Sequence, residues 1–314
     1  QELLSGNGNI NAEELARVAG LPNDPVAIQA LLAQLRNAIQ QGESQTVSGV
    51  NWTVASQQAL SSAREGSKAV TDASKTKLSE ATNIANLWLD QATALSAMAS
   101  EPKYVSREVW VQDALPLFQE LAGPIAERVA NALTENLQAN LPSELEGLAQ
   151  GAQGIMRSAG GALFAMQLGS ALGKLSHEVI TGGDIGLPFY SESRAAFVTQ
   201  NLSQFVDDND LDEGQANIYI AVRELAHARL FRHSRWLREA VIAQLTNYAS
   251  GISIDGEAMS ELASSISPEN AEALKDALES GALLSERTEE QLAALSSIET
   301  LLALIEGWVE VVTE

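Results

Sequence analysis

Cysteine is absent from this chain. That excludes disulfides, thiolate metal ligands and a cysteine nucleophile, and leaves the compartment open. Bases are scarce: 19 Lys and Arg stand against 41 Asp and Glu, a net charge of -22. So acidic a surface repels phosphate backbones and anionic lipid, so neither nucleic acid nor a membrane is expected as a partner. Uninterrupted apolar runs are short. The longest glycine-rich one, Ser158 to Gly173, covers about 16 residues between Arg157 and Lys174, less than the roughly 20 a membrane helix needs. It reads as a buried helix in which Gly169 and Gly173 let another helix approach closely. G-x-S-x-G, P-loop and G-x-G-x-x-G contexts are missing too, which removes the commonest serine-hydrolase and nucleotide-binding readings. "TGGDIG" lacks the strand before it and the helix start after it that a phosphate loop needs. No signal peptide is visible, and a cytoplasmic location is expected. Export stays open, because the chain begins at Gln1 rather than Met.

What is present is helical patterning. With 314 residues, 45% of them apolar, the chain can bury a core in one large domain or two. Asp24 and Pro25 read as a cap and first helical position for a helix to about Gln41. The polar stretch 41–50 follows as a linker. A long pattern runs from about Lys68 to Met98, with Ile84, Leu87, Trp88 and Leu95 at 3–4 spacing. Further helices are expected over about 106–121, 124–138 and 143–180. Gly182, Gly183, Gly186 and Pro188 then break the helical texture, and "RAAFVTQ" (194–200) is the best strand candidate. "DDNDLDEG" (207–214) resembles a calcium loop only superficially, because the ligand alternation and turn glycine are out of place. It reads as a solvated loop capping the next helix. Asp255, Ser267-Pro268 and Thr288 read as later helix starts, Thr288 with Gln291 at capping-box spacing. The fold class expected is mainly α, multi-helix, with at most a small strand element near 195–200. Residues 1–46 are expected to be a helical extension with a polar linker and 47–314 the main domain, with the site-bearing part at 191–314.

The informative stretch is "IYIAVRELAHARLFRHSRWL", residues 218–237. Its centre, "RELAH", differs from HExxH by one residue. HExxH works because residues four apart share a helix face, so two imidazoles bind one zinc while the Glu acts as general base on the metal-bound water. Here Glu224 keeps the place of the base and His227 that of the second ligand. Arg223 occupies the first ligand position and cannot ligate, because its guanidinium stays protonated. His233, six residues after His227, has the spacing of a third ligand in extended motifs, but Leu230 stands where those motifs need a turn glycine. His177-Glu178 has Thr181 four residues on, so it is no second motif, and His177 reads as a surface residue. A downstream carboxylate can complete a His/His/Glu site. Glu306 in "LIEGWVE" is the candidate, and a solvated helix face with Glu299 and Glu310 is the alternative. Tyr219, Arg223 and His227 fall on one stripe of the helix. A site built for a dication holds carboxylates that repel once the metal is gone, and a guanidinium among them restores balance. Arg223 is therefore expected to pair with Glu306 or Glu224.

The chain resembles the zincin-like metallopeptidase type 2 family. This is a bacterial family described as hydrolases or left without assigned function, one branch being associated with deazaflavin-coenzyme biosynthesis. The likeness is carried in order by "VNWTVASQQA" (50–59), "EATNIANLWLDQAT" (80–93), "SREVWVQDALPLFQELAGPI" (106–125), "QLGSALGKLSHEVITGGDIGLP" (167–188), "FVTQNLSQF" (197–205), "RELAHARLFRHSRWLR" (223–238) and "LLALIEGWVE" (301–310). Where the motif is intact, the resemblance implies HE-x-x-H followed by Phe and Trp-Leu-Arg; Glu224, His227, Phe231, Trp236, Leu237 and Arg238 match and Arg223 departs. It also implies that Glu306 faces the motif helix.

Two functions follow as expectations. One is a metal-dependent, peptidase-like hydrolase with a degenerate site, in which Glu224 is catalytic and His227 and Glu306 hold zinc. Two ligands beside a fixed positive charge hold zinc poorly, so its activity is in question. The other is a non-catalytic protein binding a peptide, a small molecule or a protein partner in the former cleft. A purely structural role is the third possibility.

Overall fold

The computed structural model describes residues 51–140, 164–186, 194–253 and 285–314, with a few isolated positions besides. The helices expected at 25–41 and after Ser267, and most of 143–163, lie outside the described residues. Two compact units emerge, one gathering Gln1–Asn51, Ala126–Leu163 and Ile252–Glu286, the other Trp52–Ile125, Phe164–Gly251 and Arg287–Glu314. In the first, Asp255 accepts a hydrogen bond from the Ala258 N–H at 3.1 Å, which is how an N-cap residue opens a helix.

The second unit carries the site. Its helices are α1 (Trp52–Arg64), α2 (Asp72–Ala92), the start of α3 (Arg107–Asn140), α4 (164–178), α5 (Thr199–Asp208), α6 (Glu213–His233), α7 (Arg235–Gly251) and α8 (Glu289–Thr313). Two three-residue strands, β1 (Lys103–Val105) and β2 (Ala196–Val198), pair in parallel with Tyr104 opposite Phe197. Those rings stack with centroids 6.0 Å apart. Residues 180–182 run antiparallel along the other edge of β2, through Gly182 N–H to Ala196 O and Val198 N–H to Ile180 O. The chain is thus mainly α, with its small sheet where "RAAFVTQ" predicts strand.

Starts and stops follow from local chemistry. Thr71, Asp212 and Thr288 cap α2, α6 and α8, and Thr288 with Gln291 forms a complete capping box. Asp212 is the capping residue expected of the acidic loop. Helices expected separately at 106–121 and 124–138 are one helix, α3, which carries Pro116 and Pro124 inside it. Proline bends a helix as readily as it ends one. In α4, a Cβ on Gly173 would stand 2.5 Å from Ser62 Cβ, and one on Gly169 would collide with Ala55 O. The two glycines are what let α4 lie against α1.

Helix α6 sits centrally and packs on α2, α5, α7 and α8. Ten of its 21 residues are buried, including Glu224, His227 and Arg229. One core cluster gathers Leu78, Leu89, Phe197, Leu202, Leu225 and Val309 around it. A second joins Trp110, Val111, Leu172 and Val198 across α1, α3, α4 and the sheet. The buried face of α2 is Leu78, Ala81, Thr82, Ala85 and Leu89. This corrects the pattern expected there: Ile84, Leu87 and Trp88 point outward, with Trp88 54% exposed. Small alanines let α2 sit close to α6, so the larger apolar residues are left outside. Helix α8 is long and apolar enough to cross a membrane by length and composition alone, yet Ala294, Ile298, Ile305 and Val309 are buried in the fold.

Candidate active site

Helix periodicity puts Arg223, Glu224 and His227 on adjoining faces of α6, and α8 brings Glu306 opposite them. The Glu306 carboxylate is shared. One oxygen accepts from Arg223 Nη2 at 2.6 Å and the other from His227 Nε2 at 2.7 Å. His227 Nδ1 lies 2.9 Å from Arg223 O. Both ring nitrogens therefore face acceptors, an arrangement completed when both carry protons.

Glu224 is 3% exposed and both its oxygens are occupied. Oε2 accepts from Gly183 N–H and Oε1 from Ala196 N–H, each at 2.9 Å. The glutamate thus ties α6 to the 181–186 loop and to β2. Asp184 holds that loop in turn, accepting from Ile180 N–H at 2.5 Å, Thr181 N–H at 2.9 Å and the Thr181 hydroxyl at 2.7 Å. A Cβ on Gly183 would stand 2.9 Å from Glu224 Oε2, so a side chain there would displace the carboxylate from its bond to the Gly183 N–H. Together with Ile220, these residues line a cleft of about 130 Å³.

Proton affinities follow the surroundings. Burial pushes the Glu224 carboxyl up to about 7, against the Ala196 N–H bond and the His227 charge, which favour ionisation. Burial opposes charge on His227, but the hydrogen bond to Glu306 and the charges of Glu224 and Glu306 outweigh it and raise the ring's affinity. The His227 hydrogen bond lowers Glu306; burial opposes this, and the charges of His227 and Arg223 reinforce it.

The structure thus brings Arg223, Glu224, His227 and Glu306 together. It does not bring Tyr219, which is 55% exposed and off the cleft lining. His233 ends α6 with Nε2 3.3 Å from both Oγ and O of Ser96, away from the cleft. His177, expected at the surface, is half-buried and held on both ring nitrogens. Its Nδ1 accepts from Arg107 Nη1 and its Nε2–H donates to Ser62 O, both at 2.9 Å. Sequence reasoning missed Thr181, Gly183 and Asp184. The available signal was the adjacent glycines breaking the helical texture, a sign of close backbone approach.

The residues present do not fit a three-ligand zinc site. His227 has the orienting Nδ1 bond of a ligating histidine, and Glu306 faces its Nε2. The third position carries a guanidinium already bonded to Glu306. Among the described residues, no three His, Asp or Glu side chains cluster closely enough to hold a metal ion.

A crystal structure from Chloroflexus aurantiacus, described as "a putative hydrolase with a novel fold", shares the fold at a TM-score of 0.53 and 18% identity. The match covers 83% of this chain and 67% of that one. Among curated proteins, none matches. The zincin-like metallopeptidase family model matches residues 50–314, which take in the motif helix, the loop beneath it and the final helix. This chain belongs to the zincin-like metallopeptidase family.

Proposed function

We propose that this protein is a hydrolase-family member whose metal site is degenerate, with the Arg223 guanidinium standing where a dication would stand. On this reading the cleft binds a ligand and does not perform metal-dependent hydrolysis. The observation that carries it is the double use of Glu306, held by Arg223 and His227 at 2.6 and 2.7 Å. A carboxylate so occupied has given its charge to a fixed cation. The cleft, at about 130 Å³, is smaller than the roughly 300–1,000 Å³ usual for a whole small-molecule ligand. It suits a single polar group, such as one end of a peptide or small molecule.

The test is metal content by plasma mass spectrometry, before and after zinc is added. The wild-type protein is expected to retain far less than one equivalent. Arg223→His should take up about one zinc per chain, because it restores the third nitrogen or oxygen donor. Wild-type protein holding about one zinc per chain, lost in His227→Ala, would overturn the proposal.

A further inference from the structure

In the Arg223 cleft the acids are spent and the cation is not. Glu224 accepts the Gly183 and Ala196 N–H groups, one on each oxygen. Asp184 accepts from Ile180 N–H, Thr181 N–H and the Thr181 hydroxyl. Both Glu306 oxygens are taken, by Arg223 and His227. Every carboxylate oxygen lining the cleft therefore has a donor already. Arg223 lines the same cleft with its side chain 29% exposed, and it gives Glu306 a single N–H, from Nη2. Its other guanidinium N–H groups have no partner among the described residues.

The planar guanidinium decides what fits there. Nη2 carries one N–H beside Nε–H and another beside Nη1–H. Whichever of them faces Glu306, the other keeps a free neighbour, so a two-pronged edge of Arg223 stays open. Such an edge matches the paired oxygens of a carboxylate. An ammonium would meet Arg223 as a like charge. The other charges of the cleft tolerate a single anion. Glu306 is one carboxylate standing between Arg223 and His227, and burial pushes the Glu224 carboxyl up to about 7, so near neutrality it carries only part of a charge. Asp184 has its oxygens turned to the donors of its own loop. Ile220 supplies an apolar wall.

We infer that the cleft binds a small monocarboxylate, with its two oxygens on the open edge of Arg223 and its alkyl group against Ile220. The inference rests on the reading of this cleft as a ligand site without metal. A volume of about 130 Å³ suits a short-chain acid.

The experiment uses the full chain, labelled with nitrogen-15 and dialysed free of metal, with zinc content measured before and after. Arg223 Nε–H and Gly183 N–H are followed as sodium propionate is added. Propionamide, propylammonium chloride and sodium phosphate are compared at the same ionic strength. Saturable shifts of both resonances are expected with propionate, with the amide about tenfold weaker and the ammonium silent. Arg223→Lys keeps the charge but loses the fork, and should weaken propionate binding about tenfold, read at Gly183. Glu306→Gln removes the competing acid and should tighten it. No saturable shift with propionate, equal affinity for propionamide or phosphate, undiminished affinity in Arg223→Lys, or looser binding in Glu306→Gln would overturn the inference and leave the metal-free reading standing. About one zinc per chain before dialysis would overturn that reading, and the inference with it.

Discussion

A glutamine at position 224 offers one acceptor oxygen where the glutamate offers two. One of the N–H groups of Gly183 and Ala196 would then face an amide NH2. At pH 5 the Glu224 carboxyl is protonated, but its hydroxyl oxygen can still accept an N–H where an amide NH2 cannot, so Glu224→Gln should cost about 1–3 kcal/mol of stability by urea unfolding. The wild type has its own pH dependence. With the folded Glu224 at about 7, the folded state holds more protons than the unfolded one between about 4.3 and 7, so stability falls as pH rises through that window. The loss approaches about 4 kcal/mol above it. His227, also raised, contributes stability that is complete below about 6.5 and fades as pH rises past its folded value. Glu306, lowered, sets the acid limit, its contribution lost as pH falls through its folded value. Urea midpoints at pH 5, 6, 7 and 8 should therefore decline for the wild type and decline less for Glu224→Gln. At this scale the sequence is legible for the acids and imidazole of the motif, since their types and spacing state the chemistry. It is not legible for Thr181, Gly183 and Asp184, which act through backbone position.

Close approach decides which face of a helix is buried. Gly169→Ala drives a methyl into Ala55 O and should destabilise by about 1–3 kcal/mol, read as a drop in thermal midpoint. Trp88→Ser should change stability by less than about 0.5 kcal/mol, because the ring is outside. Residue size alone predicts the opposite for Trp88. The 3.6-residue period of α2 is plain in the sequence, but its phase is not. Alanines and large apolar residues alternate around the helix, and only the partner's distance selects the alanine side. Pro124 misleads for a related reason: it removes one donor, yet the helix runs on through it as it does through Pro116. Caps are the most legible feature of all, since Thr288 and Asp212 act within a single turn.

For the whole molecule, a net charge of -22 adds self-repulsion to every compact state. Raising sodium chloride from about 0.01 to 0.15 M shortens the Debye length from about 30 to 8 Å. The thermal midpoint should rise over that range and then level off. A midpoint that falls instead would mean that attractive pairs such as Lys77–Glu213 and Lys103–Asp113 outweigh the repulsion.

The cleft's partners are far apart along the chain. Glu306 meets Arg223 and His227 across 83 and 79 residues. Closing loops of that length costs entropy before any contact rewards it. The Glu306 pairs form only once α8 docks on α6, and a refolding experiment that follows the His227 ring is expected to report that docking step. Until α8 docks, Arg223 has no carboxylate of that helix to hold, so the charge balance of this cleft is a property of the finished fold alone.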